Sequence, residues 1–260
     1  MKIVLGRKQS IRNEDWLDAI ARIDEYVSRE ELDEAVITAV ERIKNASANK
    51  RVAYAWSGGK DSIVLSKLCE FAGITESYFA HTELEYPAFL NWCMEHLPEG
   101  CTPVNLGYDL DWLVKHPRML FPTPKDDQKW HKLIQITAFE KVFFEHNLDM
   151  LIVGHRTIDG NVCGPDGYIR KKSGEVRYSP IADWPHELIL AFIHYYDLPL
   201  PPIYDWKDGY WYGTHTWAER GRTGDKEEGY REVYEIDPSI VVAAAEKIES
   251  ARLFLEEVAR

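Results

Sequence analysis

One short string, Ser57-Gly58-Gly59-Lys60-Asp61-Ser62, constrains this chain more than any other part of it. It follows Arg51-Val52-Ala53-Tyr54-Ala55-Trp56, an apolar run that predicts a buried strand. It leads into Ile63, Val64, Leu68 and Phe71, whose spacing predicts a helix that Gly73 stops. A glycine pair between strand and helix lets the backbone turn tightly and exposes consecutive N–H groups. With the positive end of the helix dipole, these groups make a cradle for phosphate oxygens. Lys60 adds a full charge, Ser57 and Ser62 add hydroxyl donors, and Asp61 adds a carboxylate of the kind that holds magnesium. The string is shorter than the G-x-x-x-x-G-K-[ST] loop and has no Rossmann G-x-G-x-x-G pattern.

The flanking pattern predicts the fold that carries this bend. Residues 77–82, 103–106 and 150–153 read as further strands, and residues 85–96 and 126–147 as helices. Strands alternating with helices imply an α/β fold: a parallel twisted sheet with helices on both faces, over residues 48–190. Residues 1–47 read as an N-terminal helical segment. Trp16, Ile20 and Ile23 recur at helical spacing, and Ser28-Arg29-Glu30-Glu31 is a capping box ahead of a stripe of Leu32, Val36, Ala39 and Ile43. This helical pair suits packing or a homo-oligomer contact. Residues 160–174 read as a loop or hairpin, and Asp183 is expected to cap a helix that runs to Tyr196. Residues 191–260 form an irregular, then helical, C-terminal extension packed on the core, with one closing helix from Pro238. No linker marks off a second domain, so a single domain is expected overall.

Composition narrows the partners. Thirty-one Lys and Arg against 43 Asp and Glu give a net charge of -12, which disfavours indiscriminate nucleic-acid binding but leaves room for a local basic patch. The 45% hydrophobic and 28% charged shares fit a globular protein and exclude collagen and a disordered acidic tail. No run approaches the ~20 apolar residues of a membrane span, and no secretory leader follows Lys2, Arg7 and Lys8. Cys69, Cys93, Cys101 and Cys163 form no C-x-x-C pair, which predicts free thiols in a reducing cytoplasm and no iron–sulfur cluster. Arg170, Lys171, Lys172 and Arg177 make a basic cluster, expected to be solvated hairpin charges; the alternative is a patch gripping a phosphate-rich substrate. Trp206, Tyr210, Trp211, Tyr212 and Trp217, with His215, Arg220 and Arg222, are expected to pack over the sheet, with base stacking as the alternative.

Ser57–Ser62 after a hydrophobic strand closely resembles the PP-loop of the ATP pyrophosphatase superfamily, and the surrounding chain resembles its phosphoadenosine phosphosulfate (PAPS) reductase family, which includes the small subunit of ATP-dependent sulfate adenylyltransferase. His81-Thr82-Glu83-Leu84-Glu85-Tyr86-Pro87 resembles the segment after the family's second strand. Gly154-His155-Arg156 resembles the Gly-x-Arg ending its fourth, and Pro180-Ile181-Ala182-Asp183-Trp184 its Pro-[LI]-x-Asp-Trp. Leu198-Pro199, Ile203-Tyr204 and Gly209-Tyr210 follow in the family's order, so the likeness covers about residues 50–215. It implies an adenine nucleotide alpha hydrolase-like fold and binding of ATP, or a PAPS-like adenine nucleotide, with Mg²⁺. By the same likeness Ser57, Gly58, Gly59, Lys60, Asp61 and Ser62 hold the phosphates, the backbone of Phe79, Ala80 and His81 reads the adenine, Asp61 orients the metal, and Lys60, Asp61 and Arg156 are catalytic, Arg156 meeting a phosphate or oxyanion.

Departures from the family set the expected activity. PAPS reductases attack sulfur with a cysteine in a Glu-Cys-Gly-x-His context, and here no cysteine occurs after Cys163. Lys129-Trp130 stands where related reductases carry Cys-Cys, and Thr157-Ile158-Asp159-Gly160-Asn161 replaces a Glu-Ser-x-x-Arg-like run. The expected function is therefore cleavage at the α-phosphate, adenylylating an unidentified acceptor with release of pyrophosphate, in sulfur or nucleic-acid modification chemistry and alongside a sulfur-transfer or DNA-modification partner. The alternatives are a thiol-dependent phosphoadenylyl-sulfate reductase and a non-catalytic nucleotide-binding adaptor.

Overall fold

The computed structural model describes residues 1–221 and 223–260; Arg222, one of the cations named with the aromatic tail, lies outside the described residues. In chain order the helices are α1 (Asn13–Ala21), α2 (Ile23–Tyr26), α3 (Arg29–Ser47), α4 (Lys60–Ala72), α5 (Pro87–Glu95), α6 (Leu110–Lys115), α7 (Pro124–His131), α8 (Thr137–Glu145), α9 (His186–Tyr195), α10 (Gly209–Tyr212), α11 (Lys226–Ile236), α12 (Pro238–Ala245) and α13 (Glu249–Val258). The strands are β1 (Val52–Trp56), β2 (Ser77–His81), β3 (Cys101–Asn105), β4 (Met150–Ile152), β5 (Tyr168–Arg170) and β6 (Val176–Tyr178).

The strands form one sheet in the order β3-β2-β1-β4-β6-β5. β1 runs parallel to β2 and β4, with Tyr54 in register with both Ser77 and Ile152. β4 pairs in parallel with β6, and β5 closes the edge antiparallel to β6. The fold is α/β as expected, with one antiparallel edge strand added to the parallel sheet. Ala53, Tyr54 and Trp56 of β1 and all of β4 are buried, the near-continuous apolar run that central parallel strands require.

The chain divides into two compact units that interleave along the sequence. The first comprises Met1–Phe79, His96–Pro103 and Phe139–Gly213. Here the Ser28–Glu31 capping box opens α3 in both directions: the Glu31 N–H donates to Ser28 Oγ (3.2 Å) and the Ser28 N–H to Glu31 Oε2 (3.0 Å). Leu32, Val36, Ala39 and Ile43 then bury one face of α3, and the helix packs on α4, which lies against β1. Each large apolar side chain so buried is worth about 1.5–3 kcal/mol. The second unit comprises Ala80–Glu95, Val104–Ala138 and Thr214–Arg260. It gathers Phe121 edge-on to Tyr230 at 4.8 Å, and Tyr230 against Phe254 at 5.6 Å. Trp130 is buried with its indole N–H on the Met119 carbonyl (3.0 Å).

Several local expectations need correction. The helix over 126–147 is α7 and α8 joined through a π turn, Lys132–Ile136. The closing helix is two, α12 and α13, because Ile248 takes an extended conformation as the cap of the second. The irregular part of the C-terminal extension holds two helices ahead of Pro238, α10 and α11. Asp183 does not cap α9. Pro185 occupies that position, and Asp183, two residues further out, pairs instead with both Nη atoms of Arg42 (2.9 and 3.1 Å). Among the described residues no helix is long and apolar enough to cross a membrane.

Candidate functional site

Gly58 makes the bend possible. Its φ of +68° lies in the left-handed region that side chains disfavour. Gly59 returns to an extended conformation and caps α4. The two serines brace the turn from behind: the Ser57 N–H donates to Ser62 Oγ (3.0 Å), and that hydroxyl donates to the Gly59 carbonyl (2.9 Å). The Ser62 hydroxyl thus serves the loop's own atoms, with the Ser57 hydroxyl donating to it at 3.2 Å, while Ser57 itself stays exposed. The Lys60 N–H donates to the Tyr204 hydroxyl at 2.8 Å. Gly154, at the exit of β4, passes so close to α4 that a Cβ there would sit 3.3 Å from the Asp61 carbonyl oxygen. That approach places Arg156 beneath the start of the helix.

Lys60, Asp61 and Arg156 meet there as the sequence suggests, but they engage one another. Lys60 is only 3% exposed, and its Nζ lies 2.7 Å from Asp61 Oδ2. Arg156 is fully buried, with Nη2 2.9 Å from both Asp61 Oδ1 and Asp159 Oδ2. Its Nη1 donates to the Trp184 carbonyl (3.2 Å). Nη2 also lies 3.0 Å from His186 Nδ1, so that nitrogen accepts and the ring proton resides on Nε2. Burial alone would raise the Asp61 carboxyl; Arg156 and then Lys60 outweigh it and hold the group well below the usual carboxylate range. Burial, followed by the Arg156 and Lys60 charges, pushes His186 down from 6.5 to about 2, so it is neutral.

An aromatic wall closes over these charges. Trp16 of α1 stacks on Tyr210 (5.3 Å, 16°) and meets His186 edge-on at 4.5 Å. The Lys60 ammonium lies 5.4 Å from the Trp16 ring centre. Tyr204 packs on Tyr210 at 4.8 Å, and burial raises its hydroxyl far above the ordinary value, so it is protonated. Sequence reasoning missed the roles of Trp16, Asp159, His186 and Tyr204. The Arg156-x-x-Asp159 spacing was a usable signal for one of them; the others come from remote segments and left none.

The remaining candidates are placed as follows. Phe79 is in register with Trp56 at the end of β1. Ala80 and His81 complete β2 within the second unit, where the His81 carbonyl accepts from the Leu106 N–H (2.9 Å). In that unit Glu85 is buried, and burial, with the Glu219 charge adding to it against a hydrogen bond from the Thr82 N–H, pushes it up to about 8. The basic cluster is solvated only in part, with Arg170 and Lys172 exposed as expected and Arg177 withdrawn from solvent. Arg177 is buried against Glu175 (3.0 Å), Lys171 pairs with Glu140 and Glu175 (3.2 Å each), and Arg170 with Asp166 (3.0 Å). Of the aromatic tail, Tyr210, Tyr212 and Trp217 are buried, consistent with packing. Asp61 does not fit a protein-held magnesium ion, because each of its oxygens faces a cation. No group of three or more His, Cys, Asp or Glu residues suited to a metal exists among the described residues.

No curated protein matches the chain. Among solved structures it is similar to phosphoadenylyl-sulfate reductase from Candida auris in its phosphate complex, at 14% identity over 69% of this chain and 92% of that one, with a TM-score of 0.51. It is less similar to the NH3-dependent NAD synthetase of Campylobacter jejuni (14% identity, 86% of this chain and 96% of that, TM-score 0.48). The NMN synthetase of Francisella tularensis follows at 13% identity, 65% of this chain and 71% of that, with a TM-score of 0.44. The first of these likenesses speaks for the PP-loop α/β fold. The model of the phosphoadenosine phosphosulfate reductase domain matches residues 51–212, a span that contains the bend, Arg156, His186 and Tyr204, and the chain belongs to that family.

Proposed function

We propose that this protein binds ATP, or a PAPS-like adenine nucleotide, at the Ser57–Ser62 bend and transfers the adenylyl group to an acceptor oxygen. The observation that carries this reading is the bend itself: a left-handed Gly58 delivers the start of α4 beside a buried, oriented Lys60. With ATP, an acceptor oxygen attacks the α-phosphorus, the bond from that phosphorus to the bridging oxygen breaks, and pyrophosphate leaves with the electron pair; with a PAPS-like nucleotide the group that leaves the α-phosphorus is sulfate. The acceptor's proton passes to solvent. The helix dipole, the loop amides and Lys60 stabilise the charge that grows on the leaving group, as fixed dipoles that need no reorganisation. The Lys60 amide, capped by Tyr204 in this structure, becomes a phosphate donor when the hydroxyl gives way. Phe79 is assigned to the adenine side. Arg156, being fully buried, is a positioning residue: it fixes Asp61, which in turn aims Lys60.

A thiol mechanism has little support. Cys69 and Cys93 are buried, and burial raises the Cys163 thiol, whose sulfur lies 3.7 Å from the His155 carbonyl. A catalytic thiol needs the opposite shift. The test is incubation with ATP labelled at the α- or γ-phosphate, with sulfate or DNA as acceptor. Release of pyrophosphate and a labelled adenylyl product is expected. Release of orthophosphate alone, or no turnover with any acceptor, overturns the proposal.

A further inference from the structure

We infer that Trp16, carried in by α1, is a positioning residue of this site: its ring face holds the Lys60 ammonium against Asp61 and keeps water from it. The inference rests on the function proposed above and adds to it a residue from outside the family-matched span of 51–212.

One aromatic stack holds Lys60 at both ends. The Lys60 N–H donates to the Tyr204 hydroxyl (2.8 Å), Tyr204 packs on Tyr210 (4.8 Å), and Tyr210 stacks on Trp16 (5.3 Å). The circuit closes where the Lys60 ammonium lies over the Trp16 ring, 5.4 Å from its centre. That is within the roughly 6 Å over which the electron-rich face of an indole attracts a cation. A second route ends on the same ring. Asp61 takes Lys60 on Oδ2 and Arg156 on Oδ1, Arg156 reaches His186 (3.0 Å), and His186 meets Trp16 edge-on (4.5 Å). All of these residues belong to the first unit. The helix that carries the ring is itself fixed: the Arg12 N–H donates to Asp15 Oδ2 (3.1 Å) at its start, Ala19 is buried one turn on, and α1 packs on α9 and α10.

Burial explains why the side chain is a tryptophan. Trp16 is fully buried, and its indole N–H makes no hydrogen bond among the described residues. Burying that N–H costs stability that a leucine or phenylalanine avoids. The polar end of the indole is therefore not what the position uses; the ring face is. The Lys60 side chain is 4% exposed and that of Asp61 26%, so water reaches the carboxylate better than the ammonium. An ammonium so withdrawn needs a substitute for its hydration, and among aromatic rings the indole gives the strongest. A lysine ammonium rides on a flexible four-carbon stem. Fixed between Asp61 and Trp16, it is aimed before charge develops on the leaving group, as preorganised electrostatic stabilisation requires.

The test uses the full chain with Trp16→Phe, Trp16→Leu and, at position 16 alone, tryptophans of increasing fluorination, which withdraw electron density from the ring face and hardly change its size. Leu17→Ala, at an exposed position of the same helix, is the control. Two readouts are taken: kcat and KM for pyrophosphate release from ATP, and the exchange of the Lys60 ammonium protons with water by NMR, the resonance being assigned with Lys60→Met. Along the fluorinated series kcat falls stepwise, to about tenfold below wild type, and the ammonium exchanges faster, while KM and the melting temperature hold. Trp16→Phe falls between wild type and Trp16→Leu, and Leu17→Ala matches wild type. If either kcat or the exchange rate stays even across the fluorinated series, the inference falls, since a ring that only fills space is indifferent to the charge on its face. Should Trp16→Leu fail to fold, the fluorinated series decides alone. A wild-type chain that releases no pyrophosphate overturns the proposed function instead. The ammonium exchange needs no turnover and then decides whether Trp16 holds Lys60.

Discussion

The first unit holds two clusters of cations that have equal claims on an anionic ligand when only their residue types are known. On the β5–β6 hairpin, Arg170, Lys171 and Arg177 each face a carboxylate from Asp166, Glu140 or Glu175. Arg177 adds a cation–π contact with Phe139 at 5.2 Å. Around the bend, Lys60 and Arg156 also face carboxylates, and Asp61 serves both, as Glu175 serves Lys171 and Arg177 on the hairpin. Two buried donors there, Arg156 Nε and His186 Nε2, make no hydrogen bond among the described residues. The hairpin cations lie at the edge of the sheet, whereas the bend cations are buried where the amides at the start of α4 gather. A cation at a helix start differs from one in an ion-pair network by the amides beside it, not by the number of Lys and Arg.

The largest effect that can break this contrast is on stability. Arg156→Ala strands Asp61 and Asp159 beneath α4 with no guanidinium, and removing one partner of a buried ion pair typically costs about 3–5 kcal/mol. Urea unfolding at neutral pH measures it. Asp61 has a depressed folded-state value, so its contribution is present above the ordinary carboxylate range and lost as pH falls through the folded value. The gap between wild type and variant therefore narrows in acid. A cost no larger than that of a surface substitution would mean Arg156 is no more integral than the hairpin cations.

Next comes Lys60→Ala, read on activity. Removing a preorganised donor from the leaving-group site lowers kcat for pyrophosphate release by about a hundredfold or more. Because Lys60 is 3% exposed, Lys60→Met is the companion variant that keeps the packing beside Trp16. Steady-state kinetics on both should show the same loss. If Lys60→Met retains wild-type kcat, the charge serves the fold alone, and the bend joins the hairpin in the same class.

These two variants touch the part of the molecule that was most legible in the sequence. The apolar β1, the diglycine bend and the amphipathic α4 are local features, and local spacing encodes them. That the strands beside β1 run parallel to it followed from the same alternation. Less legible was what depends on long-range pairing. β6 is only Val176–Tyr178, too short to carry a period, yet it pairs in parallel with β4. Asp183 looked like a cap because Arg42, its partner, lies far away in sequence. Trp16 reaches the bend only because Glu187 and α9 hold the N-terminal segment there, and nothing at residues 1–16 announces that.

A smaller effect sharpens the contrast through pH. His186 drops from 6.5 to about 2 on folding, so between those values the unfolded chain binds a proton that the folded one refuses. Stability from this group is present above 6.5 and declines as pH falls, by about 1.4 kcal/mol per unit, or roughly 2 kcal/mol by about pH 5. His186→Asn keeps an acceptor toward Arg156 and does not titrate. The difference in unfolding free energy between wild type and this variant should change by that amount across the window. A constant difference would show that His186 protonates as freely folded as unfolded, which is incompatible with its hydrogen bond from Arg156.

The smallest effect belongs to the hairpin, and its smallness is the point. Arg170 and Asp166 are both well exposed, and such pairs contribute little because solvent screens them and ordering two long side chains is costly. Lys172 is exposed on the same turn. The double variant Arg170→Ala/Lys172→Ala removes two of the four hairpin cations without touching the buried Arg177–Glu175 pair. Its unfolding midpoint and its nucleotide affinity should be indistinguishable from wild type at low and high salt alike. A salt-dependent fall in affinity for ATP or for DNA would return the hairpin to the role of a phosphate-gripping patch, and the distinction between cations at a helix start and cations in an ion-pair network would then fail where it is easiest to measure.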